Sequence, residues 1–153
     1  MNFKNHEAFT LIELITVVAI TAVLTTITAP IYSNYIEDTK IKTATVELRE
    51  IETKLVRYYT NNRRYPDSLN DLPGDSPVDP WGKPYQYLNI ENSTKKGKGG
   101  LRKDKNLVPI NSDFDLYSKG PDGDSKAPLT AKASRDDIIR AGNGGFFGVA
   151  TDF

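Results

Sequence analysis

Two hydrophobic patterns follow one another in the first part of the chain. No residue from Leu14 to Ile36 is charged, and a helix of that length, at about 1.5 Å per residue, covers the roughly 30 Å of hydrocarbon in a bilayer. Apolar residues then recur three and four apart, the spacing of an amphipathic helix that packs on a sheet. These residues are Ile41, Ala44, Leu48, Ile51, Leu55 and Tyr58. The two patterns predict a spanning helix that continues as an amphipathic one and ends near Asn61 and Asn62.

The second half of the chain favours strands. Prolines and a glycine interrupt residues 65–77, which predicts a structured connector without regular elements. Residues 85–90 and 114–118 then alternate like strands and are expected to pair antiparallel, with Trp81 in the core before the first of them. The predicted fold class is α+β, a long N-terminal helix packed on a small antiparallel sheet in a single soluble domain.

Glu13 is the one acid inside the apolar N-terminal run. A carboxylate in hydrocarbon costs about 2.5 to 3.5 kcal/mol on insertion scales, so it marks a function that involves a partner. A cleaved signal peptide fits poorly, because the apolar stretch is too long and no small-x-small cleavage site follows it. A plain signal anchor remains an alternative, but it has no use for Glu13. Pro30, near the far end of the run, is placed to kink the helix.

Charge and composition exclude some partners. Lys plus Arg is 20 and Asp plus Glu is 20, so the formal net charge is zero and no polyelectrolyte partner is implied. A local basic run is interleaved with glycines and lacks aromatic residues for base stacking, so we interpret it as a solvated loop between the two strands and expect no nucleic-acid binding. The run contains Lys95, Lys96, Lys98, Arg102, Lys103 and Lys105.

Acids near the C-terminal end are candidates for a cation site. Asp122 and Asp124 lie in the segment SKGPDGD (118–124), and Asp136 and Asp137 follow it. Four acids can converge on one cation, although their spacing is not that of an EF-hand. The alternative is that Asp122-Gly123 is a turn and Asp136 an acid at a helix N-terminus, and the residues alone leave both interpretations open.

An enzyme is the main hypothesis from another class. The chain has no cysteine, and its single histidine, His6, precedes the apolar run. The commonest general base and the usual zinc ligands are therefore missing from the rest of the chain. Carboxylate-only chemistry would need acids in environments that separate their pKa values, and these acids lie in a segment that looks solvated. We expect no enzymatic activity.

Residues 8–14, AFTLIEL, resemble the N-terminal signature of type IV pilins and pseudopilins. The resemblance implies that prepilin peptidase cuts between Ala8 and Phe9 and methylates the new terminus at Phe9. It also implies that Glu13 pairs with the terminal ammonium of a neighbouring subunit during assembly, and that Pro30 is the family's kinking proline. The family usually has Gly before the cut where this chain has Ala8.

Two further segments, NRRYP (62–66) and DPWGKPY (79–85), resemble the major pseudopilin of type II secretion systems. The missing cysteines agree, because many type IV pilins close their C-terminal region with a disulfide. The implied organisation is a leader at 1–8, a transmembrane and assembly helix at 9–36 and a periplasmic pilin-like domain at 37–153.

The same resemblance implies a function and a location. The protein would be a single-pass protein of the bacterial inner membrane that enters a helical filament and drives protein export. Its partners would be other copies of the chain, minor pseudopilins, the inner-membrane assembly platform, prepilin peptidase and the lipid bilayer. The alternative is a type IV pilus subunit for adhesion, motility or DNA uptake.

A calcium-binding loop is the last feature that the resemblance implies. Matched to this sequence, the ligands of Ca²⁺ would be the carbonyl of Lys119 and the side chains of Asp122, Asp124, Asp136 and Asp137. A cysteine-free exported domain needs another stabilising element, and a metal would provide it. The tail at 142–153, rich in Gly and Phe, departs from the family pattern and receives no predicted role.

Overall fold

The computed structural model describes residues 9–91, 100–105 and 107–153. One α-helix, α1, spans Leu11–Asn62, and the strands are β1 (Gln86–Asn89), β2 (Phe114–Ser118), β3 (Ile138–Ala141) and β4 (Phe146–Val149). Short 3₁₀ turns cover Leu69–Asp71, Lys132–Ser134 and Ala150–Asp152. The α+β class, the end of the helix at Asn62 and the strand at 114–118 are confirmed.

The strands form an antiparallel sheet in the order β1-β2-β3-β4. Gln86 lies opposite Tyr117 and Asn89 opposite Phe114, which confirms the predicted pairing of the first two strands. The second pair, β3 and β4, is a hairpin that the sequence reasoning missed. Its turn needs left-handed backbone at Gly142 and Asn143, with φ values of 61° and 55°, and these are residue types that tolerate that region.

The hydrophobic core lies between the second half of α1 and the sheet. Ala44, Leu48 and Leu55 are 0% exposed and Ile51 is 3% exposed, while Ile41 and Tyr58 pack against the same cluster. The predicted helical stripe is thus confirmed. The sheet, the connector and the residue just before β1 contribute the other buried members, which are Leu69, Leu72, Tyr85, Phe114, Leu116, Ile138 and Phe147. Trp81 is only partly buried at the edge of this cluster.

The chain divides between Asp38 and Thr39 into two compact units. The core residues all belong to the second, Thr39–Phe153. A smaller cluster in that unit contains Ile110, Leu129, Ile139, Ala141 and Ala150, with Phe146 packed against it. The tail at 142–153 therefore completes the domain through β4 and the residues that follow it.

The basic run is not a uniformly solvated loop. Lys95, Lys96 and Lys98 lie outside the described residues, but Arg102 is 3% exposed. That part of the prediction is wrong, because the Arg102 side chain is buried against Asp137. Of the described basic residues in this run, Lys103 is half-buried and only Lys105 is exposed. The role of Arg102 is developed below.

Candidate functional site

Glu13 lies in the first turn of α1 and bonds to the residue that caps it. The amide and the hydroxyl of Thr10 donate to Glu13 Oε2 at 2.8 and 2.7 Å. The amide of Glu13 in turn donates to the Thr10 hydroxyl at 3.3 Å. This is a capping box, in which a Thr and a Glu three residues later satisfy each other's backbone amides. The pattern Thr-x-x-Glu is visible in the sequence, but the sequence reasoning assigned Glu13 only an intersubunit role.

The first turns of α1 leave their apolar side chains exposed. Leu11 is 78%, Ile12 67% and Leu14 63% exposed, and the large apolar residues continue in this way as far as Ile31 at 64%. By length and composition α1 contains a segment apolar enough to cross a membrane. An apolar surface of this extent is unstable in water and needs either lipid or other protein to cover it.

Threonines reduce the hydrophobicity of this segment without leaving hydroxyls unpaired. Each of them donates a side-chain hydrogen bond to a carbonyl three or four residues earlier, at 2.7 to 3.0 Å. They are Thr16, Thr21, Thr25, Thr26 and Thr28. In hydrocarbon there is no water to satisfy such groups, so internal pairing is required.

Pro30 lies inside α1. Proline has no N–H to donate to the carbonyl four residues earlier, which here belongs to Thr26. The helix continues through Pro30 to Asn62, and a kink at this position stays a prediction.

The DPWG segment is a turn organised by Asp79. This side chain is 3% exposed and accepts hydrogen bonds from the amides of Trp81 at 3.0 Å and Lys83 at 2.8 Å. The Ser118 hydroxyl on β2 donates to its second oxygen. Gly82 has φ 80°, where a side chain would be strained. The turn thereby connects the start of the sheet to the SKGPDGD segment.

The acidic segment, defined here as residues 118–137, brings its first turn close to Asp136. Gly120, with φ 62°, packs so tightly that an added Cβ would collide with the carbonyl oxygen of Asp136. The amide of Asp122 donates to Asp136 Oδ2 at 3.2 Å. Asp122 and Asp124 are exposed. The structure thus brings two of the predicted ligands, Asp122 and Asp136, next to each other.

Asp137 has different neighbours. It is 0% exposed, which corrects the view that all of these acids lie in a solvated segment. Its Oδ2 accepts hydrogen bonds from Arg102 and from the Ser125 hydroxyl, and the Arg102 pair is a buried salt bridge. Burial raises the pKa of the Asp137 carboxyl, against the opposing effects of Ser125 and Arg102. The charge of Asp137 is therefore costly unless Arg102 is present.

Among the described residues no group of three or more acids is placed to hold a metal ion. Within the described part of the chain, Asp137 Oδ1 is buried and has no hydrogen-bond partner, so its lone pairs are free to take a cation. The residues as arranged do not fit a calcium site made of five converging ligands. Calcium binding by Lys119, Asp122, Asp124, Asp136 and Asp137 stays a prediction.

Arg140 is a second buried charge that the sequence reasoning missed. Its Nε donates to Glu52 Oε1 at 2.7 Å, and its two terminal nitrogens donate to the two oxygens of Asp113 at 2.9 and 2.7 Å. The guanidinium also lies 4.0 Å from the centre of the Phe114 ring. Burial lowers the pKa of Arg140, but the hydrogen bonds to Asp113 and Glu52 outweigh this effect and the net direction is upward. This cluster connects α1, β2 and β3.

Residues 3–29 match the prokaryotic N-terminal methylation motif. This motif and the long helix packed on a four-stranded antiparallel sheet make the chain similar to the type IV pilin-like class of proteins. The class agrees with the resemblance of residues 8–14. Ala8 itself lies outside the described residues, and cleavage between Ala8 and Phe9 stays a prediction.

Within this class the chain is similar to core protein G of the type II secretion system. The core protein G of Pseudomonas aeruginosa is 28% identical over 144 residues, which cover 80% of this chain and 89% of the relative. The core protein G of Pectobacterium carotovorum subsp. carotovorum is 28% identical over 139 residues, covering 77% and 78%. A fimbrial protein of Neisseria meningitidis serogroup A is 25% identical over 121 residues, covering 79% and 71%. No solved structure matches the chain significantly.

Proposed function

We propose that this protein is a structural subunit of a type II secretion pseudopilus. The observation that carries the proposal is the composition of α1. Its first half has the methylation motif and an exposed apolar surface. Its second half buries its apolar side in the core of a small domain. Such a helix suits a subunit that is stored in the membrane and then packs against other helices in a filament. The comparisons favour secretion, because both core protein G relatives are more similar than the fimbrial relative.

In the proposed life cycle, prepilin peptidase removes residues 1–8 and methylates Phe9. The subunit waits in the inner membrane, with residues 9–36 in the bilayer and the domain at 37–153 in the periplasm. The assembly platform then transfers it into a helical filament with other copies and with minor pseudopilins. On leaving the bilayer, the Glu13 carboxylate exchanges its bonds with Thr10 for the ammonium at Phe9 of a neighbour. The role is mechanical, and no catalytic step is proposed.

A processing experiment tests the first part. The full chain is expressed with prepilin peptidase and the assembly platform, and the intact mass of the purified protein is measured. A mass that corresponds to N-methylated Phe9 supports the proposal, and an Ala8→Gly variant is the matched control for cleavage. A chain that keeps Met1–Ala8 while Ala8→Gly is cut would contradict it.

A type IV pilus subunit is the second candidate, since fimbrial proteins of Neisseria meningitidis also match most of the chain. Deletion of the gene in its own host separates the two. Loss of protein export with normal pili supports the pseudopilus. Normal export with loss of surface pili or motility would replace it with the pilus.

A further inference from the structure

The backbone at Arg102 and Lys103 is fixed to three other parts of the domain. Its amide donates to Asp115 Oδ2 at 3.0 Å, and its carbonyl accepts from the amide of Ile110 at 3.0 Å. The next residue, Lys103, exchanges backbone hydrogen bonds of 3.1 and 2.9 Å with residues 127–129. A loop that serves only as a linker would not be held in this way. The position of the Arg102 side chain is therefore built into the domain.

The guanidinium of Arg102 bonds to the acidic segment from inside. Its Nη1 donates to the Ser125 hydroxyl and, at 3.0 Å, to the carbonyl of Lys126, while its Nη2 donates to Asp137 Oδ2. The face of the guanidinium lies 4.0 Å from the centre of the Tyr117 ring. The Arg102 side chain is 4% and the Asp137 side chain 0% exposed. The Arg102 guanidinium thus bonds to the oxygens of a carboxylate, a hydroxyl and a carbonyl. Oxygens of these kinds are also the ligands that a hard metal ion prefers.

Protein donors already use several oxygens of the acidic segment. The amide of Gly123 donates to the carbonyl of Lys119 at 3.3 Å, that of Asp124 to Asp122 Oδ1 at 2.7 Å, and that of Asp122 to Asp136 Oδ2 at 3.2 Å. These bonds shape the segment through its own backbone. A metal is not needed to explain its conformation.

Lys83 supplies a second cation on the outer side. Its Nζ donates to the carbonyls of Gly120 and Pro121 at 3.1 and 2.9 Å. The backbone of Lys83 is itself held by Asp79, which accepts its amide at 2.8 Å. The Lys83 ammonium therefore already bonds to the two carbonyl oxygens at the start of the turn formed by residues 121–124.

We propose that the Arg102 guanidinium is the resident cation of the acidic segment, and that the domain keeps its full stability without a bound divalent metal. Asp137 is buried and needs a charged partner, and the planar guanidinium provides several donors in fixed directions. This goes beyond the proposed function, because it concerns what stabilises the domain whichever filament it enters. It is the opposite of the calcium prediction, and a single set of measurements decides between them. Asp137 Oδ1 keeps free lone pairs, so metal addition has to be tested directly.

The first measurement uses the unmodified full chain in detergent micelles. Thermal unfolding is followed by the fluorescence of Trp81, the only tryptophan, in EDTA and then with excess calcium chloride. The proposal expects the same Tm in both. A metal that binds the folded domain, present at a free concentration of about 100 times its Kd, would instead raise the Tm by roughly 10 °C in a domain of this size. A fall of that order in EDTA that calcium reverses would overturn the proposal.

The second measurement uses variants at the pair. Arg102→Gln should lower the Tm by roughly 12 °C or more in the absence of metal, since it leaves a buried carboxylate without its partner. Arg135→Gln removes an exposed arginine near the same acids and should shift the Tm little. The double variant with Asp137→Asn should recover a large part of the loss. The assignment is overturned if Arg102→Gln shifts the Tm no more than Arg135→Gln does. It is also overturned if the double variant loses as much as the single variants Arg102→Gln and Asp137→Asn lose together. Should Arg102→Gln fail to fold, the metal measurement still decides.

Discussion

Arg140 provides the sharpest test of how the domain is held together. It is replaced by Met, which has a similar length and no charge. The side chain of Arg140 is 2% exposed and forms salt bridges with Glu52 on α1 and with Asp113 just before β2. Met fills much of the space but leaves two acids next to each other with no cation. The expected result is a strong loss of stability.

The magnitude follows from the burial of the three groups. Removing one partner of a buried ion pair typically costs about 3 to 5 kcal/mol. Glu52 and Asp113 are each 21% exposed, so both can recover part of their hydration when Arg140 is gone. The cost should therefore lie near the lower limit, about 3 kcal/mol, which corresponds to a fall in Tm of roughly 12 °C for a domain of this size.

The assay is thermal unfolding of the full chain in detergent, followed by near-ultraviolet circular dichroism. Arg135→Met is the matched control, because Arg135 is exposed and its loss should change stability by no more than about 0.5 kcal/mol. A triple variant that adds Asp113→Asn and Glu52→Gln should regain much of the stability. If the triple variant is as unstable as Arg140→Met alone, uncompensated charge is not the cause and the reasoning is refuted.

Three further predictions concern the core, the assembly acid and alkaline pH. Leu48→Ala, at a position that is 0% exposed, should lower the free energy of unfolding in denaturant by about 2 to 5 kcal/mol. Val46→Ala, at a position that is 55% exposed, should lower it by less than about 0.5 kcal/mol. Equal losses would contradict the core described above. Glu13→Leu should still fractionate with membranes but should form few filaments by electron microscopy. The control Thr21→Val, which removes a hydroxyl and no charge, should assemble normally. Normal filaments from Glu13→Leu would exclude the pairing role. Burial raises the pKa of four tyrosines above their ordinary value, so their neutral forms stabilise the fold below about pH 10 and this contribution is lost as pH rises beyond it. The native chain at pH 11 should absorb less at 295 nm than the urea-unfolded chain, and identical absorbance would refute the burial of Tyr65, Tyr85, Tyr87 and Tyr117.

Elements with a clear period were predictable from the sequence. The stripe on α1 repeats at helical spacing, and the pairing of β1 with β2 follows from their alternation. The strand β3 has no such alternation, because all four of its residues are buried, one face against α1 and the other against the cluster around Ile110. A period of two is lost when both faces of a strand are covered. The turn signal at residues 142–145 was available and would have indicated the hairpin.

The buried arginines were not predictable, because their partners are far away in the chain. Arg140 bonds to Glu52 across 88 residues and Arg102 to Asp137 across 35. No local pattern specifies such a pair, and an arginine among lysines and glycines is most simply interpreted as solvated. The same separation along the chain gives the pairs their structural role, which is to fix distant segments to each other. The chain has no cysteine, and contacts between distant segments must be fixed in another way. In this domain the buried arginine–carboxylate pairs connect the helix, the sheet and the acidic segment, which is the role that a disulfide or a metal would otherwise have.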